Sequence, residues 1–223
     1  MPLETSDRRF KDNAYTAWAT VTKALASPRR LEIADLLVQR PRTVEDLASA
    51  VQQPIANVSH HLQILRRGGL VETERRGTFI HYTLAPEVAE ALVALRHLAL
   101  ERSDDLMGAV RRFHDREPET VPVSELQARL AAGTATLIDV RPADEFAVAH
   151  LPGAISVPID TLHLRVSELP DHLLVATCRG PFCTYAARAV RLLREAGREA
   201  VRFELGPAEW TVSGGVLVPE LAS

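Results

Sequence analysis

Leu173-Leu174-Val175-Ala176-Thr177-Cys178-Arg179-Gly180-Pro181-Phe182-Cys183-Thr184 decides how this chain is read. The apolar run Leu173 to Ala176 predicts a short buried strand. The residues from Tyr185 to Ala196 carry a helical pattern. A cysteine that ends a strand, in a tight loop opening a helix, faces a ring of backbone N–H groups. Those dipoles favour thiolate over thiol. Two readings of Cys178 are open at this point: a thiolate nucleophile, or a small buried hydrophobe. Both cysteines of the chain lie in this loop, so any thiol chemistry is confined to it.

Upstream, Leu137-Ile138-Asp139-Val140-Arg141-Pro142 reads as a buried strand ending in charge. Asp144-Glu145-Phe146 and Ala149-His150-Leu151-Pro152-Gly153-Ala154 follow it, and Leu205-Gly206, Trp210 and Gly214-Gly215 come near the end. The combination D-V-R-x-x-x-E-F, H-L-P-G-A, a cysteine loop and G-x-x-x-W-x-x-x-G resembles a single rhodanese domain, from about Thr120 to Leu221. The resemblance implies an α/β domain with a central parallel sheet and a catalytic loop comprising Cys178, Arg179, Gly180, Cys183 and Thr184. It implies a Cys178 persulfide, formed from a sulfane-sulfur donor such as thiosulfate or a persulfide and held by the loop amides. A six-residue loop marks the family's sulfurtransferases, whereas seven-residue loops admit phosphate or arsenate. Asp139, Arg141 and Glu145 then belong to the scaffold, and His150 to packing. Arg179 steers an anionic donor or is a solvated loop residue. Cys183 is a resolving thiol or a packing residue at the helix start.

The 223 residues suffice for two small domains. No apolar run reaches membrane-span length and no signal-peptide core opens the chain, so a cytoplasmic, non-membrane protein is expected. Two cysteines do not make a disulfide scaffold. Residues 1–116 hold 17 Lys+Arg against 15 Asp+Glu, while the remainder holds 9 against 14. The excess of basic residues in the first half is a weak pointer to nucleic acid there. Glu117-Pro118-Glu119-Thr120-Val121-Pro122 reads as a linker. Ser124 to Gln127 reads as a capping box for a helix ending near Gly133. The expected division is a first domain over 1–116, a linker over 117–124 and a second domain over 125–223.

In the first half, helical periodicity places Ala17, Val21, Ala24 and Leu25 on one face. Helices are predicted over Pro28 to Leu37, Leu47 to Val51 and Ile55 to Arg67, the last closed by Gly68-Gly69. Leu70 to Glu74 and Thr78 to Leu84 alternate as a hairpin, with its turn at Arg75-Arg76-Gly77. Two helices joined by a short turn, followed by a hairpin, form a mainly α winged helix-turn-helix. Leu47-Ala48, Val51, Val58-Ser59-His60-His61-Leu62, Leu65-Arg66, Gly69-Leu70-Val71, and then Arg75, Gly77, Tyr82 and Leu84 resemble the ArsR-type winged-helix repressors over about Arg9 to Arg102.

On Ile55 to Arg67 the apolar Val58, Leu62 and Leu65 share one face. Asn57, Ser59, His60 and Gln63 lie off it, as groups suited to base edges and phosphates. The resemblance places His61 beneath the helix. Arg66 and Arg67 contact phosphate or merely favour the helix C-terminus. Arg75 and Arg76 are read as phosphate or minor-groove contacts. Pro86 to Arg112 reads as one long amphipathic helix, and the resemblance uses the first and last helices to form a homodimer. Metal-sensing relatives carry Cys-x-Cys before the turn, which this chain lacks. His97 and Glu101, with Asp104, Asp105 and His114 nearby, read as charge support or a weak metal pair. No metal or cofactor is assigned.

The expectation is a homodimeric, double-stranded-DNA-binding transcriptional regulator, a repressor, whose rhodanese domain senses or transfers sulfane sulfur. The alternative is a cytoplasmic sulfurtransferase that uses its winged helix mainly to dimerise. A third reading, a soft-ion sensor at the two cysteines, is weakened by the lack of a third soft ligand.

Overall fold

The computed structural model describes residues 5–114, 120–203 and 205–219. The chain divides into two compact units, Met1–Ala89 and Glu90–Ser223.

The first unit begins with α1 (Thr5–Leu25), α2 (Pro28–Gln39), α3 (Val44–Ala50) and α4 (Ile55–Arg67). Thr43 caps α3 by accepting the Asp46 N–H at 3.3 Å. The core is built from the apolar stripes of α2 to α4: Ile33, Leu37, Leu47, Val58, Leu62 and Leu65 are all buried. β1 (Val71–Arg76) and β2 (Phe79–Leu84) then pair as an antiparallel hairpin. Arg76 pairs directly with Phe79, so the turn is Gly77-Thr78. The sequence reading placed Arg75 and Arg76 in that turn; they are instead the last two residues of β1. A two-residue connection needs a positive φ, and Gly77 supplies it at 63°. Arg42 extends the wing by exchanging backbone bonds with Tyr82 at 3.0 and 2.8 Å.

Past the wing the helical pattern is broken. The single helix expected over Pro86 to Arg112 is two, α5 (Pro86–Arg102) and α6 (Asp104–His114). Ser103 explains the break. Its hydroxyl accepts the Leu106 N–H at 3.2 Å, and Asp104 and Asp105 occupy the new first turn. Residues 115–119, including the first part of the expected linker, lie outside the described residues.

The remaining elements are α7 (Val123–Ala131), β3 (Ala135–Asp139), α8 (Ala143–Val148), β4 (Ile155–Ser156), α9 (Leu162–Arg165), β5 (Leu173–Thr177), α10 (Tyr185–Glu195), β6 (Ala200–Arg202) and α11 (Pro207–Val212). α7 starts one residue before Ser124, after Pro122, and no side chain caps it, so the expected capping box is not formed. The four strands make the parallel sheet that the rhodanese resemblance implied, and their order is β4-β3-β5-β6. Side chains alternate between its two faces. Ile138, Leu174 and Ala176 pack with Ala186, Val190 and Leu193 of α10. Leu137, Val175 and Val201 pack with Leu126 of α7, Phe146 of α8 and Trp210 of α11. Burial on both faces makes β5 a continuous apolar run, the feature that exposed it in the sequence.

Candidate functional site

Cys178 is the first residue beyond β5 and is only 4% exposed. The loop it opens is pinned from three sides. Asp139 and Arg141, both fully buried, form a two-pronged ion pair at the end of β3, with the closest contact at 2.6 Å. Arg141 also donates to the Ala149 carbonyl at 2.8 Å. These bonds hold the strand end and the segment after α8, the scaffold role expected of them.

Arg179 is held by the buried Glu145 through contacts of 2.6 and 2.9 Å. Its guanidinium carbon lies 4.9 Å from the Tyr185 ring centroid. Burial opposes its charge, but the Glu145 carboxylate more than offsets that and keeps Arg179 protonated beyond the usual range. Its side chain is thus a clamp on the loop. His150 stacks on Phe146 with centroids 3.7 Å apart and bonds the Phe146 carbonyl at 2.9 Å, so it packs as expected.

The third side was missed by the sequence reading. Gly206 lies so close to the loop that a Cβ there would come within 2.3 Å of the Arg179 carbonyl. Its N–H donates to Glu209 at 3.1 Å. Glu209 is buried, sits against Gly180 and forms an ion pair with Arg96 of α5, inside the second unit. The Arg96 guanidinium carbon lies 5.7 Å from the Phe182 ring centroid. The G-x-x-E spacing of Gly206 and Glu209 is a helix-start signal that points to this bond. Nothing local points to Arg96, 113 positions away.

Within the loop, Gly180 adopts a φ of 129°, which an L side chain rarely takes. Its carbonyl accepts the Cys183 N–H at 3.0 Å, folding the second cysteine back over the first. The Gly180 and Ala186 amides bond the Cys178 sulfur, and those of Tyr185 and Arg179 bond Cys183. The two thiol side chains also hydrogen-bond each other, which moves their pKa values in opposite directions. The Cys178 S–H supports the neighbouring thiolate, so Cys183 is lowered to about 7 despite its burial. The same bond, together with burial, pushes Cys178 up. Thr184 precedes α10, and its side chain makes no capping bond.

In the first unit, Asn57, His60 and Gln63 of α4 are exposed and Ser59 is half-buried, all off the buried Val58, Leu62 and Leu65 face. His61 is partly buried, and its Nδ1 has no hydrogen-bond partner among the described residues. Desolvation, then the charges of Arg30, His60 and Arg29, lower its pKa. This fits the place beneath the helix that the sequence reading proposed. On the wing, Arg75 donates to the Gly77 carbonyl at 3.1 Å and Arg76 pairs with Glu74 at 2.7 Å. Among the described residues no cluster of three or more His, Cys, Asp or Glu side chains is placed to hold a metal.

A helix-turn-helix with a β-wing, joined to a parallel α/β domain with a buried cysteine loop, defines the class: a two-part DNA-binding regulator. Residues 27–73 match the model of the bacterial regulatory protein arsR family, and residues 122–213 match that of the rhodanese-like domain. The chain is 42% identical over 198 residues to the HTH-type transcriptional regulator Rv0324 of Mycobacterium tuberculosis, covering 88% of each. Its first part is 36% identical over 75 residues to the transcriptional activator HlyU of Vibrio cholerae, covering 34% of this chain and 69% of HlyU. It is also 36% identical over 70 residues to the transcriptional repressor SdpR of Bacillus subtilis, covering 31% of this chain and 78% of SdpR. The chain belongs to the ArsR-family transcriptional regulators and carries a C-terminal rhodanese domain.

Proposed function

We propose that this regulator is a homodimeric repressor whose operator affinity is set by sulfane sulfur reacting at Cys178. The observation that carries this reading is the loop itself: a strand-end cysteine whose sulfur receives the Gly180 and Ala186 amides. Burial and the bond to Cys183 keep the proton on Cys178, and Cys183, lowered to about 7, is the adjacent thiolate that takes that proton as Cys178 attacks. The Cys178 thiolate attacks the outer sulfur of thiosulfate. A new S–S bond forms, the donor's S–S bond breaks, and sulfite departs with the electron pair. The amides that held the thiolate hold the terminal persulfide anion.

DNA is read by Asn57, Ser59, His60 and Gln63, with Arg75 and Arg76 on the flanking backbone. Repression is the direction the ArsR-type resemblance implies; the activator HlyU and the repressor SdpR share this first part. Arg96 supports coupling between sulfur and DNA: it lies beside the cysteine loop on the helix that begins directly after the wing. Couplings of this type are typically about 1–3 kcal/mol, or roughly 5- to 150-fold in affinity.

The test is a titration of operator DNA with thiosulfate-treated and untreated protein, alongside Cys178→Ser. A shift within that range in the wild type, absent from Cys178→Ser, is expected. Equal affinities for treated and untreated protein, with sulfite release confirming reaction, would overturn the sensor reading in favour of a sulfurtransferase enzyme.

A further inference from the structure

Cys178 and Cys183 are both free thiols. The Cys178 sulfur lies 3.6 Å from the carbonyl oxygen of Cys183, and the two side chains bond each other. This proximity is set by the backbone: the turn closed by the Gly180 carbonyl and the Cys183 N–H returns the chain over Cys178. Cys183 is also the less buried of the two. A persulfide built on Cys178 is therefore born against a second sulfur nucleophile.

We infer that Cys183 is a resolving thiol, and that the loop reduces bound sulfane sulfur to hydrogen sulfide while closing a Cys178–Cys183 disulfide. The inference rests on the persulfide reading above and adds a second step to it. The Cys183 thiolate attacks Sγ of the Cys178 persulfide. The Cys183–Cys178 bond forms and the bond from Cys178 Sγ to the terminal sulfur breaks. The electron pair leaves on the terminal sulfur, which departs as hydrosulfide after taking up a proton.

From thiosulfate and the two thiols, the products are sulfite, hydrogen sulfide and the disulfide. The sulfane sulfur gains two electrons and each cysteine sulfur gives up one. The two thiol protons balance those of hydrogen sulfide, so a single turnover needs no outside reductant. Repeated turnover needs a dithiol or a low-molecular-weight thiol to reopen the loop. An attacking thiol works best when its pKa lies near ambient pH, and Cys183 is lowered to about 7. Closure joins the two sulfurs at about 2.05 Å, across a loop whose turn already sets the Cys178 sulfur 3.6 Å from the Cys183 carbonyl oxygen. It also removes the anion that the Gly180 and Ala186 amides hold, so the loop passes from a charged to a neutral state.

The experiment incubates the fully reduced full-length protein with thiosulfate, without added thiol and without oxygen. It follows intact mass, sulfite and sulfide together. Wild type is expected to release about one equivalent each of sulfite and sulfide and to end two hydrogens lighter. Cys183→Ser is expected to release sulfite alone and to keep one added sulfur. A wild type that releases sulfite, keeps the added sulfur and yields no sulfide overturns the resolving role while leaving the persulfide reading intact. If neither protein takes up sulfur nor releases sulfite, both readings fall together.

Discussion

At the scale of single residues, the bond between the two thiols of the cysteine loop moves their pKa values apart. Cys183 holds its thiolate near neutrality because the Cys178 S–H donates to it, ahead of all other influences. A lowered thiol pKa means that thiolate is present above that pH and lost below it. Alkylation of the wild type at Cys183, followed by mass against pH, is expected to rise through about pH 7. Cys178→Ala removes the donor, so the same profile is expected to shift toward higher pH, into the ordinary thiol range. An unshifted midpoint in Cys178→Ala would show that the Cys178 thiol does not support the Cys183 thiolate. That both cysteines fall between one strand and one helix was legible in the sequence. How the two come together was not, since it depends on a turn that brings Cys183 back onto Cys178.

The elements of the first unit were read almost as they stand, because apolar spacing within a helix or hairpin is a local property. The wing turn was displaced by two residues. Arg75 and Arg76 remain exposed at the end of β1, and Arg76 is paired with Glu74. An exposed, solvent-screened pair of this kind contributes little to stability, so a phosphate can displace Glu74. Each phosphate contact adds roughly 0.9 to the slope of log affinity against log salt. Arg75→Ala with Arg76→Ala is therefore expected to weaken binding to operator and unrelated duplex alike and to lower that slope by about 1 to 2. A slope equal to that of the wild type would remove the wing from the DNA interface.

For the whole molecule, the first helix carries the feature that asks for a partner. Phe10, Tyr15 and Trp18 of α1 are 71%, 62% and 64% exposed, and Tyr15 stacks on Trp18. Large exposed apolar groups on neighbouring turns mark an interaction surface. A second copy of this chain is the occupant that the ArsR-type resemblance implies. Phe10→Lys with Trp18→Lys is expected to convert a dimer to a monomer in light scattering. The same variant is expected to lose operator affinity, because two linked recognition helices bind far more tightly than one. A dimer persisting at the same concentrations would place the interface elsewhere.

What the sequence determined by itself is local: the strand that ends in Cys178, the helix-turn-helix spacing, the hairpin, and the buried stripes that carry both units. Hydrophobic periods of 2 and 3.6 residues are properties of short windows, and those windows survive in the fold. The helix break at Ser103 was written there too, as a capping serine followed by two aspartates. Only the tertiary structure decided which distant group each charge meets. Glu145 clamps Arg179 across 34 positions, and Glu209 joins Gly206, Gly180 and Arg96 around the cysteine loop. Such partners are chosen by sheet register and by the close approach of backbones at Gly206. A buried carboxylate must find its counter-charge wherever the folded chain has placed one.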